Sequence, residues 1–99
     1  MQLNKREVKE LMKCIKQMLK ADFVATHPGS EIQVSEGWGD NIHVLVVSEA
    51  FKGMPAEERD NMVWPILEKL PKSEMTHISL CLLLTPEEAE TPFTTGIQS

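Results

Sequence analysis

The side chains with the widest chemical range in this sequence are three histidines, His27, His43 and His77, and two cysteines, Cys14 and Cys81. The cysteines are too far apart for a Cys-x-x-Cys pair and too few for a disulfide framework, so they read as free thiols of a reducing compartment. By residue type alone, His77 at the head of an apolar run is a solvated or hydrogen-bonded strand-end imidazole. Cys81 reads as a small packing residue, and Cys14 sits at the edge of a helical apolar stripe. Carboxylates come in two adjacent pairs, Glu57-Glu58 and Glu87-Glu88. Each pair falls in the first turn of an expected helix, where the helix dipole accounts for it without acid–base work. No Ser-His-Asp constellation, Gly-rich phosphate loop or metalloprotease motif occurs, and the chain reads as non-enzymatic.

The elements that must carry these residues follow from periodicity. Val8, Leu11, Met12, Ile15, Met18 and Leu19 mark one buried face of a helix over residues 5–20, and Asn4 with Glu7 has the spacing of a capping box. Residues 31–35 alternate as a half-buried strand, Gly37-Trp38-Gly39-Asp40-Asn41 is a turn-rich loop, and residues 42–47 are a β-branched strand, giving a hairpin with an extended tip. A short helical turn is expected around Ala50 and Phe51. Residues 55–70 form a second long helix, with Pro65 kinking it by removing a hydrogen bond to Asn61. The last strand spans residues 77–84, with Ile78, Leu80, Leu82 and Leu84 facing the helices and His77, Ser79, Cys81 and Leu83 facing away. Thr85-Pro86-Glu87-Glu88 starts a short helix, and from Thr91 a frayed tail is expected. The order α-β-β-α-α-β implies one α+β domain, a two-layer sandwich with helices on one face of a three-stranded sheet.

Composition sets the outer bounds. With 99 residues, 41% hydrophobic and 25% charged, the chain has the profile of an ordinary globular domain too small to enclose much pocket volume. No apolar stretch nears the roughly 20 residues of a bilayer crossing, and no signal peptide or acid-poor transit peptide is evident. The expectation is a soluble cytoplasmic protein, with a mitochondrial or other organellar address left open. Charge is lopsided: residues 1–20 carry six basic and two acidic side chains, the rest four basic and thirteen acidic, for a total of −5. Nucleic-acid binding would therefore rest on one local surface, the stripe of Lys9, Lys13, Lys16 and Lys20 with Lys5; the plainer reading is a solvated helix face.

From Val44 onward the sequence resembles the BolA-like family. The likeness is carried by Val44-Leu45-Val46-Val47-Ser48, Phe51-Lys52-Gly53-Met54, Glu58-Arg59, Thr76-His77-Ile78-Ser79-Leu80 and Thr85-Pro86-Glu87-Glu88, in order and at family spacing. The resemblance implies a fold like the second class of KH domains, with a three-stranded mixed sheet and without the Gly-x-x-Gly loop that grips nucleotides. It also implies an accessory protein, monomeric alone, that pairs with a monothiol glutaredoxin. Between them the partners hold a [2Fe–2S] cluster with glutathione, for cluster assembly, trafficking or iron signalling. In such a pair the BolA-like protein supplies a histidine at the start of the last strand, here His77, and a Cys or His from the hairpin loop.

At that loop position this sequence has Asp40, a harder ligand than such clusters favour, and His43 is the nearest imidazole. Asp60 and Ala89 also depart from the family, which often has His and Trp there. Trp38, Lys52 and Arg59 are candidate partner contacts, Trp38 as an interface anchor or folded back on the rim, the other two with solvated charge as the plainer reading. Two further functions stay open: a nucleic-acid-binding transcriptional or stress regulator, and a cluster-free scaffold.

Overall fold

The computed structural model describes residues 3–90, and the tail expected from Thr91 lies outside them. Helix α1 (Lys5–Leu19) starts at the expected capping box: the Asn4 side chain accepts the Glu7 amide at 2.8 Å, and the Asn4 amide donates to Glu7 Oε1 at 3.0 Å. Two otherwise orphaned amides are thereby satisfied. The helix buries Val8, Leu11, Ile15 and Leu19. It then widens into a π turn, Lys20–Val24, that carries Phe23 into the core against Phe51, with ring centroids 5.5 Å apart. Nothing in the spacing of Ala21 and Asp22 marks such a turn.

Strands β1 (Glu31–Glu36) and β2 (Ile42–Val47) pair antiparallel, and β2 pairs parallel with β3 (Ile78–Leu84), so the sheet is mixed with β2 at its centre. Between β2 and β3 lie a 3-10 turn (Glu49–Phe51), helix α2 (Ala56–Leu67) and a single helical turn, α3 (Lys72–Met75). Helix α2 ends sooner than its apolar pattern suggests. Pro65 sits in its last turn, and the chain leaves the helix at Leu67 and passes through turns to the buried Leu70. Helix α4 (Pro86–Glu90) has a second capping box, in which Thr85 Oγ1 accepts the Glu88 amide at 3.1 Å and Glu88 Oε1 accepts the Thr85 amide at 2.9 Å.

The expected facing of β3 is corrected by a β-bulge. Ile42 stands opposite Ile78 but His43 stands opposite Leu80, which leaves Ser79 as an extra residue. One inserted residue reverses the alternation beyond it. Ile78 therefore packs on the core as expected, but past the bulge it is Cys81 and Leu83 that join the core, while Leu80 is 42% exposed. The same reversal ends the expected sharing of a strand face by His77 and Cys81.

The core is one cluster between the helices and a single face of the sheet, centred on Ile15, Leu19, Ile42, Val44, Val46 and Leu67. Full burial of each of these side chains is worth about 1.5–3 kcal/mol. No helix among the described residues is long and apolar enough to cross a membrane.

Candidate functional site

Parallel pairing brings the starts of β2 and β3 together, and with them the last residues of the segments that lead in. The Ile42 amide donates to the His77 carbonyl at 2.8 Å, while the His77 amide donates to the Glu74 carbonyl at 3.1 Å. The backbone of His77 is thus pinned between β2 and α3. In the hairpin loop the Gly37 amide donates to the Asn41 carbonyl at 2.8 Å, and the Asn41 amide to the Trp38 carbonyl at 3.1 Å. Gly39 takes a φ of +66°, open to glycine at no steric cost, and the turn delivers Asp40 to the mouth of β2.

Asp40 and His77 consequently meet, with Oδ2 3.4 Å from Nδ1. The Leu3 amide, just ahead of α1, donates to the same Oδ2 at 3.0 Å. That bond is the main cause holding the Asp40 carboxyl below its ordinary range, with the nearby His77 adding to it against partial desolvation. The histidine side chain is only 10% exposed and the aspartate 21%. What lies against Nδ1 is a carboxylate rather than the apolar layer.

The pair has donors a metal could use. Bonds of about 2.0–2.1 Å to one tetrahedral ion place neighbouring donor atoms about 3.4 Å apart, the separation seen between Nδ1 and Oδ2. Imidazole in place of thiolate on one iron of a [2Fe–2S] cluster is established chemistry, whereas carboxylate oxygen is the harder donor. Two donors are half a tetrahedral set. Among the described residues, no three His, Cys, Asp or Glu side chains come together to hold a metal. His43 therefore does not complete the group. Its β2 position faces Ser35 and Leu80, and its ring lies against Gly37, where an added Cβ would stand 2.5 Å from Nε2.

The other candidates are dispersed. Trp38, at the loop tip, is 90% exposed and does not fold back on the rim. Lys52 is exposed and lies 3.9 Å from Glu87. Arg59 is turned inward instead of being solvated charge: Nε donates to the Met54 carbonyl and Nη1 to the Leu83 carbonyl, each at 2.9 Å, and both Nη atoms reach Glu88, at 2.6 and 3.2 Å. With 12% of its side chain exposed, it ties α2 to the end of β3 and to α4 and has little left for a partner. The Arg59 hydrogen bonds pull the Glu88 carboxyl down to about 2, and Glu88 in turn raises the Arg59 guanidinium. Lys9, Lys13 and Lys16 are exposed along α1 and Lys20 at the start of the π turn that follows it, and Lys5, Arg6, Lys9 and Lys13 line a groove of about 480 Å³ with Glu10. Burial, with Asp60 adding to it, pushes the Cys81 thiol up to about 12, so it stays a neutral packing group.

One participant was not foreseeable from residue types, the backbone amide of Leu3; a main-chain donor leaves no mark in a sequence. Arg59 and Glu88, 29 positions apart, carried only the weak signal of opposite charge.

A two-layer α+β domain, with an antiparallel hairpin and a parallel third strand, defines the class of fold. Its fold is that of a BolA-like protein. No protein-family model matches the chain, and no curated protein matches it. Among solved structures, the chain is similar to BolA1 from Arabidopsis thaliana, at 19% identity and a TM-score of 0.55 over 79% of this chain and 94% of that one. It is also similar to the BolA domain of SufE1 from Arabidopsis thaliana, at 22% identity and a TM-score of 0.53 over 87% of this chain and 98% of that domain.

Proposed function

We propose that this chain is a non-catalytic accessory protein that binds a monothiol glutaredoxin and shares a [2Fe–2S] cluster with it, His77 being the iron ligand it contributes. The observation that carries this reading is the placement of His77, whose backbone is pinned at the mouth of β3 and whose Nδ1 edge is held against the hairpin loop by Asp40. The fold supports it, and so does the chemistry of the pair. A single borderline-soft nitrogen from this chain leaves the remaining cluster ligands to glutaredoxin and glutathione, and nitrogen ligation loosens a cluster enough for transfer. Trp38, exposed at the tip of the hairpin loop that delivers Asp40, is proposed to contact the partner; Lys52 is exposed at the far end of the sheet, beside Glu87 of α4, and is proposed as a more remote contact. With so little of the His77 side chain exposed, docking has to uncover the ring edge that faces away from Asp40.

The test is reconstitution with a monothiol glutaredoxin, glutathione, iron and sulfide, comparing the visible spectrum of the wild type with His77→Ala. The expected result is a cluster spectrum for the mixed complex that differs from that of glutaredoxin alone and is altered or lost in the variant. Identical spectra for both proteins would remove the ligand role and leave only a cluster-free scaffold.

The groove lined by Lys5, Arg6, Lys9 and Lys13 favours a second reading, a nucleic-acid-binding regulator. That reading requires DNA affinity that falls steeply with salt and weakens on Lys9→Glu or Lys13→Glu. The acidic remainder of the chain opposes it.

A further inference from the structure

Asp40 occupies the loop position where the resemblance leads one to expect a second cluster ligand, and its surroundings suit a different task. Its Oδ2 already accepts the Leu3 amide at 3.0 Å, which fixes the carboxylate whether or not a metal is present. The same oxygen faces His77 Nδ1 at 3.4 Å. A lone pair on Nδ1 would be repelled by an anionic oxygen at that range, whereas an N–H is attracted. The neutral imidazole is therefore driven to carry its proton on Nδ1, which leaves the lone pair on Nε2. Histidines that ligate metals regularly direct their other ring nitrogen at a carboxylate, which sets the tautomer, orients the ring and makes the donor more basic. Hardness points the same way: in a sulfide-bridged iron cluster a carboxylate is a poor competitor for thiolate and imidazole.

We infer that Asp40 is a positioning residue rather than a ligand, holding His77 in the Nδ1–H tautomer so that Nε2 is the atom this chain offers to iron. The inference deepens the proposed function and rests on it for the word iron. The tautomer is a property of the isolated chain and stands or falls without any cluster.

The experiment has two readouts. Two-bond ¹H–¹⁵N correlation spectra of the isolated, full chain at a pH where the ring is neutral assign the proton on His77. The expected result is a protonated Nδ1 and an unprotonated Nε2 in the wild type, with the Nε2–H form regained in Asp40→Ala. Asp40→Asn, which keeps the size of the side chain and loses its charge, is expected to fall between the two and serves as the probe should the alanine variant be poorly folded. A wild-type ring protonated on Nε2, or a tautomer indifferent to both substitutions, overturns the inference.

The second readout is cluster retention in the reconstituted glutaredoxin complex. A positioning role predicts that Asp40→Ala keeps the nitrogen-ligated spectrum while cluster loss is accelerated about 10–100-fold. A spectral change in Asp40→Ala as large as that in His77→Ala would make Asp40 a ligand and overturn the inference. Failure of the wild type to assemble any cluster would sink the proposed function and leave the tautomer result standing.

Discussion

Arg59→Met removes four hydrogen bonds while keeping most of the packing of the side-chain stem, and so tests whether the inward arginine holds the fold together. The Met54 and Leu83 carbonyls, each bonded at 2.9 Å, lose their guanidinium donor at a site where the side chain is 12% exposed. Each carbonyl left short of a partner costs about 1 kcal/mol, since water can reach this rim only in part. The bidentate contact with Glu88 is half in solvent and adds no more than about 1 kcal/mol. The sum is a loss of about 2–3 kcal/mol, which for a domain of this size lowers Tm by roughly 10–20 °C. Reversible urea and thermal unfolding of wild type, Arg59→Met and Glu88→Gln measure it. Glu88→Gln keeps the two carbonyl bonds and should lose about 1 kcal/mol or less. An Arg59→Met protein within about 0.5 kcal/mol of wild type, or a Glu88→Gln loss as large, would refute the reasoning.

Three further outcomes follow from the same geometry. Gly37→Ala forces its new Cβ against the His43 ring, 2.5 Å from Nε2, and should cost about 1 kcal/mol that is largely recovered in the double variant with His43→Ala; a strictly additive cycle in urea melts would contradict the contact. Glu88 is depressed from 4.5 to about 2, so its contribution is fully present above pH 4.5 and lost as pH falls from there towards 2. Screening limits that contribution to about 1 kcal/mol, and the acid limb of the stability profile should flatten in Glu88→Gln. A disulfide reagent at pH 8 should titrate one thiol per native chain, the exposed Cys14, and two in urea, because Cys81 is held near 12; rapid reaction of two native thiols would contradict its burial.

Most of the architecture was legible because it rests on local rules. The Asn4–Glu7 capping box, the Thr85 cap, the apolar stripe of α1 and the β-branched run of β2 each report an interaction within a few residues. Legibility ended where an interaction is long-range or made by the backbone. The bulge at Ser79 follows from how β3 meets β2, not from the composition of β3, and one extra residue exchanged the roles of Leu80 and Cys81. Arg59 looked like helix-end charge because its acceptors, two carbonyls and Glu88, are brought together only by the fold. At the site, His77 and Asp40 could each be singled out only through the family resemblance. Their meeting depends on the parallel register of β2 and β3 and on the Leu3 amide, neither of which has a side-chain signature.

The central claim is that a nitrogen of His77 binds an iron held mostly by another protein. Its most direct test is pulsed EPR on the reduced complex of glutaredoxin with this chain labelled with ¹⁵N at histidine. The account predicts one strongly coupled ¹⁵N that disappears in His77→Ala and persists in Asp40→Ala. A cluster spectrum without coupled ¹⁵N, or coupling that survives the His77 substitution, would contradict it.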